Sequence, residues 1–521
     1  MLARYVILFI VLSLTACSLV GPDFKTPESQ LNDQWLNTTN NIDTSRDGVR
    51  NWWESFNDPT LNTLVQKAYQ QNIPLQVAGL RVFEARALLG VASGALYPQV
   101  QSLNASAGSV KISEQGDPVA NFPPAIADRI DTRFNRYAVS FDAAWELDVW
   151  GRIRRGVESA DALLAASLAT YDDLLVTLTA EVAVSYILLR TLEEQLAVTL
   201  GNEAIQQRSL EIVDVRFRNG LVTELDLQLA KALLSNTRSL LPQLEAAISQ
   251  TRYALGLLLG MTPNNLDMLI SPEGNIPEPP SVLAVGLPAE LLRRRPDIRR
   301  NEALAAAQSA RIGIAEGDLY PSFSLLGSIG FAAGDASDLF SSGSDFNFGL
   351  FSFNWKFLNY GRIKNNIRVE DARFQQAALA YQNSVLNAAR EVESGLIGFI
   401  KSKDRVSELE KSVAASRRSV ELAQTQYRDG IISYTLVLDA QQFLSLNEGL
   451  LTAARGDVAR NIIATYKALG GGWELRYGNP LVPTDIKQEM KQRSDWGELL
   501  DNENVESAQE LSPGSWRAPD F

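Results

Sequence analysis

The chain is written twice. Leu96-Tyr97-Pro98 recurs as Leu319-Tyr320-Pro321. Trp145-x5-Gly151-Arg152-Ile153 recurs as Trp355-x5-Gly361-Arg362-Ile363, and Phe217-Arg218-Asn219-Gly220 as Tyr427-Arg428-Asp429-Gly430, both at a spacing of 210 residues. Tyr253-Ala254-Leu255-Gly256 has a partner with one insertion in Tyr466-Lys467-Ala468-Leu469-Gly470. Four matches in one order define a tandem duplication, so the fold must be built from two copies of one unit.

Each copy runs in the same internal order. A helical stretch, Pro74 to Leu96 or Asp297 to Leu319, reaches the Tyr-Pro pair, where proline removes an N–H and ends the helix. Strand-like runs follow. Tyr137, Val139, Phe141, Ala143 and Trp145 alternate with Arg136, Ala138, Ser140 and Asp142; Phe323, Leu325, Gly327, Ile329 and Phe331 alternate with mostly small polar residues, Leu326 breaking the pattern. Leu103 to Ala107 alternates weakly, and Phe346, Phe348 and Leu350 change phase into Phe351, Phe353 and Trp355, which predicts a bulge. The hairpins are placed at about 99–147 and 322–358, with external loops at Ser109–Asp131 and Ala332–Asp345.

After Gly151 and Gly361 the period becomes helical. No proline occurs in 151–219 or 322–479, and Ala162, Ala166, Ala169, Leu174, Leu178, Val182, Tyr186 and Leu189 form a heptad-like stripe. A helix from 151 to about 218 extends ~100 Å at 1.5 Å per residue, about three times a bilayer core. Gly220 and Gly430 mark reversals into return helices that end near 255 and 468.

Residues 1–17 read MLARYVILFIVLSLTAC: one basic residue, a short apolar run, small residues, then the only cysteine of the chain. The run is shorter than the about 20 residues that cross a bilayer and fits a signal peptide. Cys17 after Leu14-Thr15-Ala16 resembles a bacterial lipobox, with residue 17 the acylated mature N-terminus; the plain alternative is a cleaved signal beside a bystander cysteine. Ser18, in place of Asp, implies sorting to the outer membrane. Beyond residue 17 no apolar run approaches the length of a membrane helix, so any membrane crossing is expected to use strands.

Composition removes whole classes of chemistry. Histidine is absent and one cysteine is present, so Ser/His/Asp and Cys/His machinery, His-ligated metals and internal disulfides are excluded. With 61 acidic against 48 basic residues, and a net charge of −13, nucleic acid is not an expected partner. No phosphate loop or catalytic carboxylate pair stands out, and neither an enzyme nor a cofactor is expected.

Four strands per chain cannot close a barrel, for which about eight is the minimum, and an open edge in lipid leaves unpaired backbone groups. The strands therefore lie in water, as a hairpin on a coiled-coil scaffold, or are completed by other copies. Three chains would supply twelve.

The chain resembles an outer-membrane efflux protein of the TolC/OprM type, in the lipoprotein branch that partners resistance-nodulation-division pumps. The resemblance rests on Cys17 with Gly21-Pro22-Asp23-Phe24, Trp52-Trp53-x2-Phe56-x-Asp58-Pro59, Leu292-Arg293-Arg294-Arg295-Pro296-Asp297-Ile298, the paired repeat elements and Ala468-Leu469-Gly470-Gly471-Gly472-Trp473. It implies an α+β membrane protein: a homotrimer with a twelve-stranded β-barrel in the outer membrane and a long periplasmic helical tunnel, closed at its far end until an adaptor and an inner-membrane pump engage. The corresponding organisation is a signal peptide (1–16), a lipidated N-terminal segment (17–60), a first repeat (61–270), a second repeat (271–473) and a polar acidic extension (474–521). The implied function is a passive exit duct for drugs or other small amphiphilic compounds, with a protein-secretion conduit as the alternative.

The resemblance also implies a gate in the turns Gly220–Leu227 and Gly430–Ala440. Asp226 and Tyr427 match members of the family's constraint network, and Asp439 matches an aspartate whose threefold ring narrows the entrance. Leu436 replaces the second ring carboxylate, Ile432 the network arginine, and Leu225 the threonine before Asp226. The bland alternative is that Asp226 and Asp439 cap or solvate turns. At the barrel-to-tunnel transition stand Arg152, Arg362, Trp145, Trp355, Pro98 and Pro321; the two arginines line a lumen, or snorkel or pair at an interface. The Arg293–Arg295 run reads as a solvated helix end rather than a phosphate site. The extension after 473 wraps the waist or stays disordered.

Overall fold

A computed structural model describes residues 19–501, apart from short stretches within 29–48, 114–130 and 263–287. Cys17 and the signal sequence lie outside the described residues, as do 502–521. The duplication is visible in the element lengths. Helices α1 (Pro59–Gln71) and α2 (Ile73–Gly94) lead to strands β2 (Val100–Lys111) and β3 (Arg133–Leu147), then to α3 (Arg152–Arg218) and α4 (Glu224–Leu258). A two-residue parallel pair, β1 (Ile42–Asp43) with β4 (Leu283–Ala284), ties the N-terminal segment to the linker between copies. The second copy follows as α5 (Pro288–Arg294), α6 (Pro296–Gly317), β5 (Ser322–Ala333), β6 (Asp345–Asn354), α7 (Arg362–Arg428) and α8 (Tyr434–Ala468). The long helices α3 and α7 both have 67 residues, α4 and α8 both have 35, and α2 and α6 both have 22.

The turns between long and return helices show why glycine stands where it does. Gly220 N donates to the Phe217 carbonyl at 2.8 Å and Leu221 N to that of Arg216 at 2.9 Å; Gly430 and Ile431 repeat this on Tyr427 and Gln426 at 3.0 and 2.9 Å. Both are Schellman closures, in which the residue after the helix takes a left-handed conformation, here with φ of +70° and +77°.

The four long strands form one antiparallel sheet in the order β2-β3-β5-β6, leaving β2 and β6 as open edges. Its register puts Leu103, Phe141 and Ile329 in one row, and Ala105, Val139 and Phe331 in the next, on a single apolar face. The other face carries Ser102, Asp142 and Ser328, with Asp142 accepting from Asn104, Ser140 and Ser328. The expected bulge in β6 is absent, because the β5–β6 register runs unbroken from Ser322↔Asn354 to Phe331↔Asp345. The phase change in the sequence is instead a change of face: Phe351 and Phe353 join the apolar face, while Phe346, Phe348 and Leu350 lie on the face of Ser328. The strands also run into the first expected loop, Ser109–Lys111 pairing with Asn135–Arg133.

The main core lies at the waist, where Trp52, Phe56, α1 and α2 pack on α3, α7 and α8 through Leu61, Leu64, Phe83, Leu175, Tyr186, Ile187, Phe399 and Ile462. This corrects the expectation of no membrane-length apolar run. An 18-residue window of α3 has a mean hydropathy of 1.5, and 67% of it is buried inside the protein, where it packs in this core. The C-terminal segment through residue 501 wraps the waist: Leu481 and Val482 lie against Gly79 of α2, the Leu499 carbonyl accepts from Arg86 at 3.0 Å, and α9 (Thr484–Arg493) follows between them. A fully buried Asp172 on α3 accepts from Arg476 at 2.8 Å and fixes the start of this wrap.

Candidate functional site: hairpin tips and strand–helix junction

At the far end of the long helices the two hairpin turns share a small core of their own. Val213 and Leu227 from the first hairpin meet Tyr427, Tyr434, Val437 and Leu438 from the second. Tyr427 and Tyr434 contact edge to face at 5.5 Å. The Arg216 guanidinium lies 4.7 Å from the Tyr427 ring centroid, and its Nη1 donates to the backbone carbonyls of Tyr427 and Arg428. One side chain of the first hairpin thus holds the last turn of α7 by a cation–π contact and by its terminal carbonyls together, that of Tyr427 also accepting from Gly430 N. Burial raises the Tyr427 hydroxyl above its usual range and pushes that of Tyr434 up to about 12.

The residues expected from the sequence divide. Tyr427 is at the centre of this contact. Asp226 closes a capping box at the start of α4: Thr223 N and Oγ1 donate to its carboxylate at 3.1 and 2.9 Å, and its own N–H donates to Thr223 Oγ1. Asp439 is exposed on α8, and Leu436, Phe443 and Leu446 lie exposed within the same ~80° sector, at 100° per residue, opposite the buried Val437, Leu438 and Gln441. Arg216 was not singled out in the sequence.

At the other end the repeated motifs do repeated work. Trp145 Nε1 donates to the Leu96 carbonyl at 3.1 Å, and Trp355 Nε1 to that of Leu319 at 3.0 Å. Each indole pins a strand end to the helix turn just before Pro98 or Pro321. Arg152 is paired with Glu146 of the same chain at 2.7 Å, whereas Arg362 is exposed. Arg295 corrects an expectation: it is buried rather than a solvated helix end, donating to Asp297, Glu391 and the Ala468 carbonyl. Its neighbours Arg293 and Arg294 are exposed.

The family described as "Outer membrane efflux protein" matches residues 64–261 and 287–471, one stretch per repeat. The chain belongs to that family. This outer membrane efflux protein is 30% identical over 489 residues to the solvent efflux pump outer membrane protein SrpC of Pseudomonas putida, covering 90% of this chain and 98% of that one. It is 28% identical over 480 residues to the cation efflux system protein CusC of Escherichia coli, covering 89% and 98%. Among solved structures, the outer-membrane channel OprN superposes with a TM-score of 0.79 at 33% identity, over 87% of this efflux protein and 99% of that chain. The fold of the chain is thus that of an outer-membrane efflux channel.

Proposed function

We propose that three copies of this chain form the outer-membrane duct of a tripartite efflux system, a passive exit for small amphiphilic compounds driven by an inner-membrane pump through a periplasmic adaptor. The observation that carries this reading is the four-stranded sheet with one apolar face and two unpaired edges, set on helices ~100 Å long. Unpaired strand edges in lipid cost several kcal/mol per group, and a threefold arrangement removes all of them by joining β6 of one copy to β2 of the next in a twelve-stranded barrel. The helices support the same closure. Helix α3 packs against both α2 and α6, whereas its repeat counterpart α7 packs on α6 and, to a small extent, on the short α5, so a second copy's α2 fits the open side.

In this arrangement Asp439 forms a ring of three carboxylates at the tunnel tip, with Leu436, Phe443 and Leu446 as an apolar collar beside it. Such a ring attracts cations, and an apolar constriction closes by dewetting. Tyr427 and Arg216 hold the two hairpins of each copy together in the closed state. Lipid on Cys17 adds a membrane anchor, each buried CH₂ contributing roughly 0.8 kcal/mol. The relatives' printed names, which speak of solvents and cations, support export of small solutes rather than of protein.

The test is single-channel conductance of the purified protein in planar bilayers. Small cation-selective currents that lose their cation preference in Asp439→Ala support a trimeric duct narrowed at the tip. Failure to insert, with the delipidated protein soluble without detergent, overturns the pore.

A further inference from the structure

One strand breaks the rule of its face. The inward side of a channel-forming barrel is polar and water-filled, and here that side carries Ser102, Asp142 and Ser328. Strand β6 nevertheless sets Phe346, Phe348 and Leu350 on it, and the last two are each 55% exposed. Leu326 of β5 pairs with Leu350 and is 37% exposed beside it. Four apolar side chains on two adjoining strands thus form a patch on the side that faces water. Closure of the barrel does not bury it: neighbouring copies add strands at the edges of this face and leave its inward surface open.

Asp142 stands in the same row as Phe348. It pairs in register with Ser328, and Ser328 with Phe348, so two strand spacings, about 10 Å, separate the carboxylate from the ring. Asn104, Ser140 and Ser328 donate to that carboxylate from three strands and hold it on this face. All three donors are neutral, and Asp142 has no ion-pair partner among the described residues. Within the four strands the one base on this face, Arg136, is six residues along β3, about 20 Å away. An uncompensated negative charge and an exposed apolar patch therefore lie side by side, one molecule's length apart.

We propose that this row binds an organic cation with an apolar body inside the barrel, its ammonium group at Asp142 and its hydrocarbon part laid across Ser328 onto Phe348 and Leu350. A metal ion would use the carboxylate and not the patch. An anionic amphiphile would use the patch and be repelled by Asp142. A cationic amphiphile alone uses both, and three copies give three such rows along the exit. The proposal rests on the reading that three copies close a barrel with this face inward, and it names the class of solute that the barrel holds best.

The test is block of single-channel current in the full-length protein by decyltrimethylammonium, with tetramethylammonium (the head alone) and decanesulfonate (the same chain with the opposite charge) as controls. The wild type is expected to show discrete blocked intervals with the decyl cation and none with either control at the same concentration. Phe348→Thr, which keeps a strand-favouring residue, should shorten those intervals about tenfold by removing apolar contact. Asp142→Asn, which keeps a side chain for the serines and Asn104 to bond, should shorten them about fivefold by removing one charge in a watery lumen. Equal intervals in all three proteins overturn the site, and block by decanesulfonate as strong as by the cation overturns the part given to Asp142. Loss of the oligomer on unheated gels in Phe348→Thr assigns that ring to the seam between copies and overturns the site as well. Wild-type currents that the decyl cation does not block sink only this proposal, whereas absent wild-type currents sink the barrel beneath it.

Discussion

Arg216 ties the two hairpins together at the tip: it gives the terminal carbonyls of α7 a charged donor from the facing hairpin. A cation–π contact contributes about 0.5–2 kcal/mol and a charge-assisted hydrogen bond about 1.5–3 kcal/mol, so Arg216→Ala should weaken the contact between hairpins by roughly 2–4 kcal/mol. Since 1.4 kcal/mol is about a factor of ten in an equilibrium, single-channel recording should show the open fraction rising at least tenfold. An unchanged open fraction would place the latch elsewhere. The tyrosines give this contact a pH dependence. Both hydroxyls bind their protons more tightly in the folded tip than in water, so ionising them costs stability, and the contact weakens as pH rises from about 10 toward about 12. Ultraviolet titration of tyrosinate should show a late step that Tyr434→Phe removes. Tyr427 was legible in the sequence and Arg216 was not, because the partner of a helix end can come from any element that reaches it.

Among the elements, the repeated glycines were the most legible, since a left-handed residue after a helix leaves few alternatives. A Cβ at Gly430 would meet nothing closer than an Arg216 nitrogen at 3.9 Å, so the cost of Gly430→Ala is conformational, about 1–2 kcal/mol for an L-residue with φ of +77°. Hydrogen exchange should show faster opening at Gly430 and Ile431 with the waist unchanged. Strand β6 was misread because its sequence carries aromatics in both phases, and periodicity alone cannot separate a bulge from a strand with two apolar faces. Register decides, and register is set by the neighbouring strand. The C-terminal wrap was equally hidden, its anchor being one buried ion pair. Asp172→Ala should cost about 3–5 kcal/mol by stranding Arg476 and taking the carboxylate from Arg299, 3.5 Å away, whereas replacing Asp172 and Arg476 together by apolar residues should recover most of that cost. Thermal denaturation of the two variants separates these outcomes.

At the scale of the whole molecule the sheet face is the feature to test. Ile329 lies mid-sheet on the apolar face, Ser106 on the opposite one. An arginine at a lipid-facing midplane costs about 2–4 kcal/mol, so Ile329→Arg should reduce the yield of folded oligomer sharply while Ser106→Arg leaves it intact, as read on unheated gels. Equal tolerance would mean that the apolar face does not meet lipid. The duplication and the strand–helix order could be read from the chain, because both are local patterns. The closing of edges could not, because it depends on surfaces of other copies.

The matched helices impose a rule on how such a protein can change. Each tip stands 67 residues from its junction, and the two meet in one small core. Seven residues added to α3 alone would carry its turn about 10 Å past that of α7, pulling Arg216 away from Tyr427. A length change in one half is therefore tolerated only with the same change in the other. The depth of the duct is inherited as a single quantity written in two places.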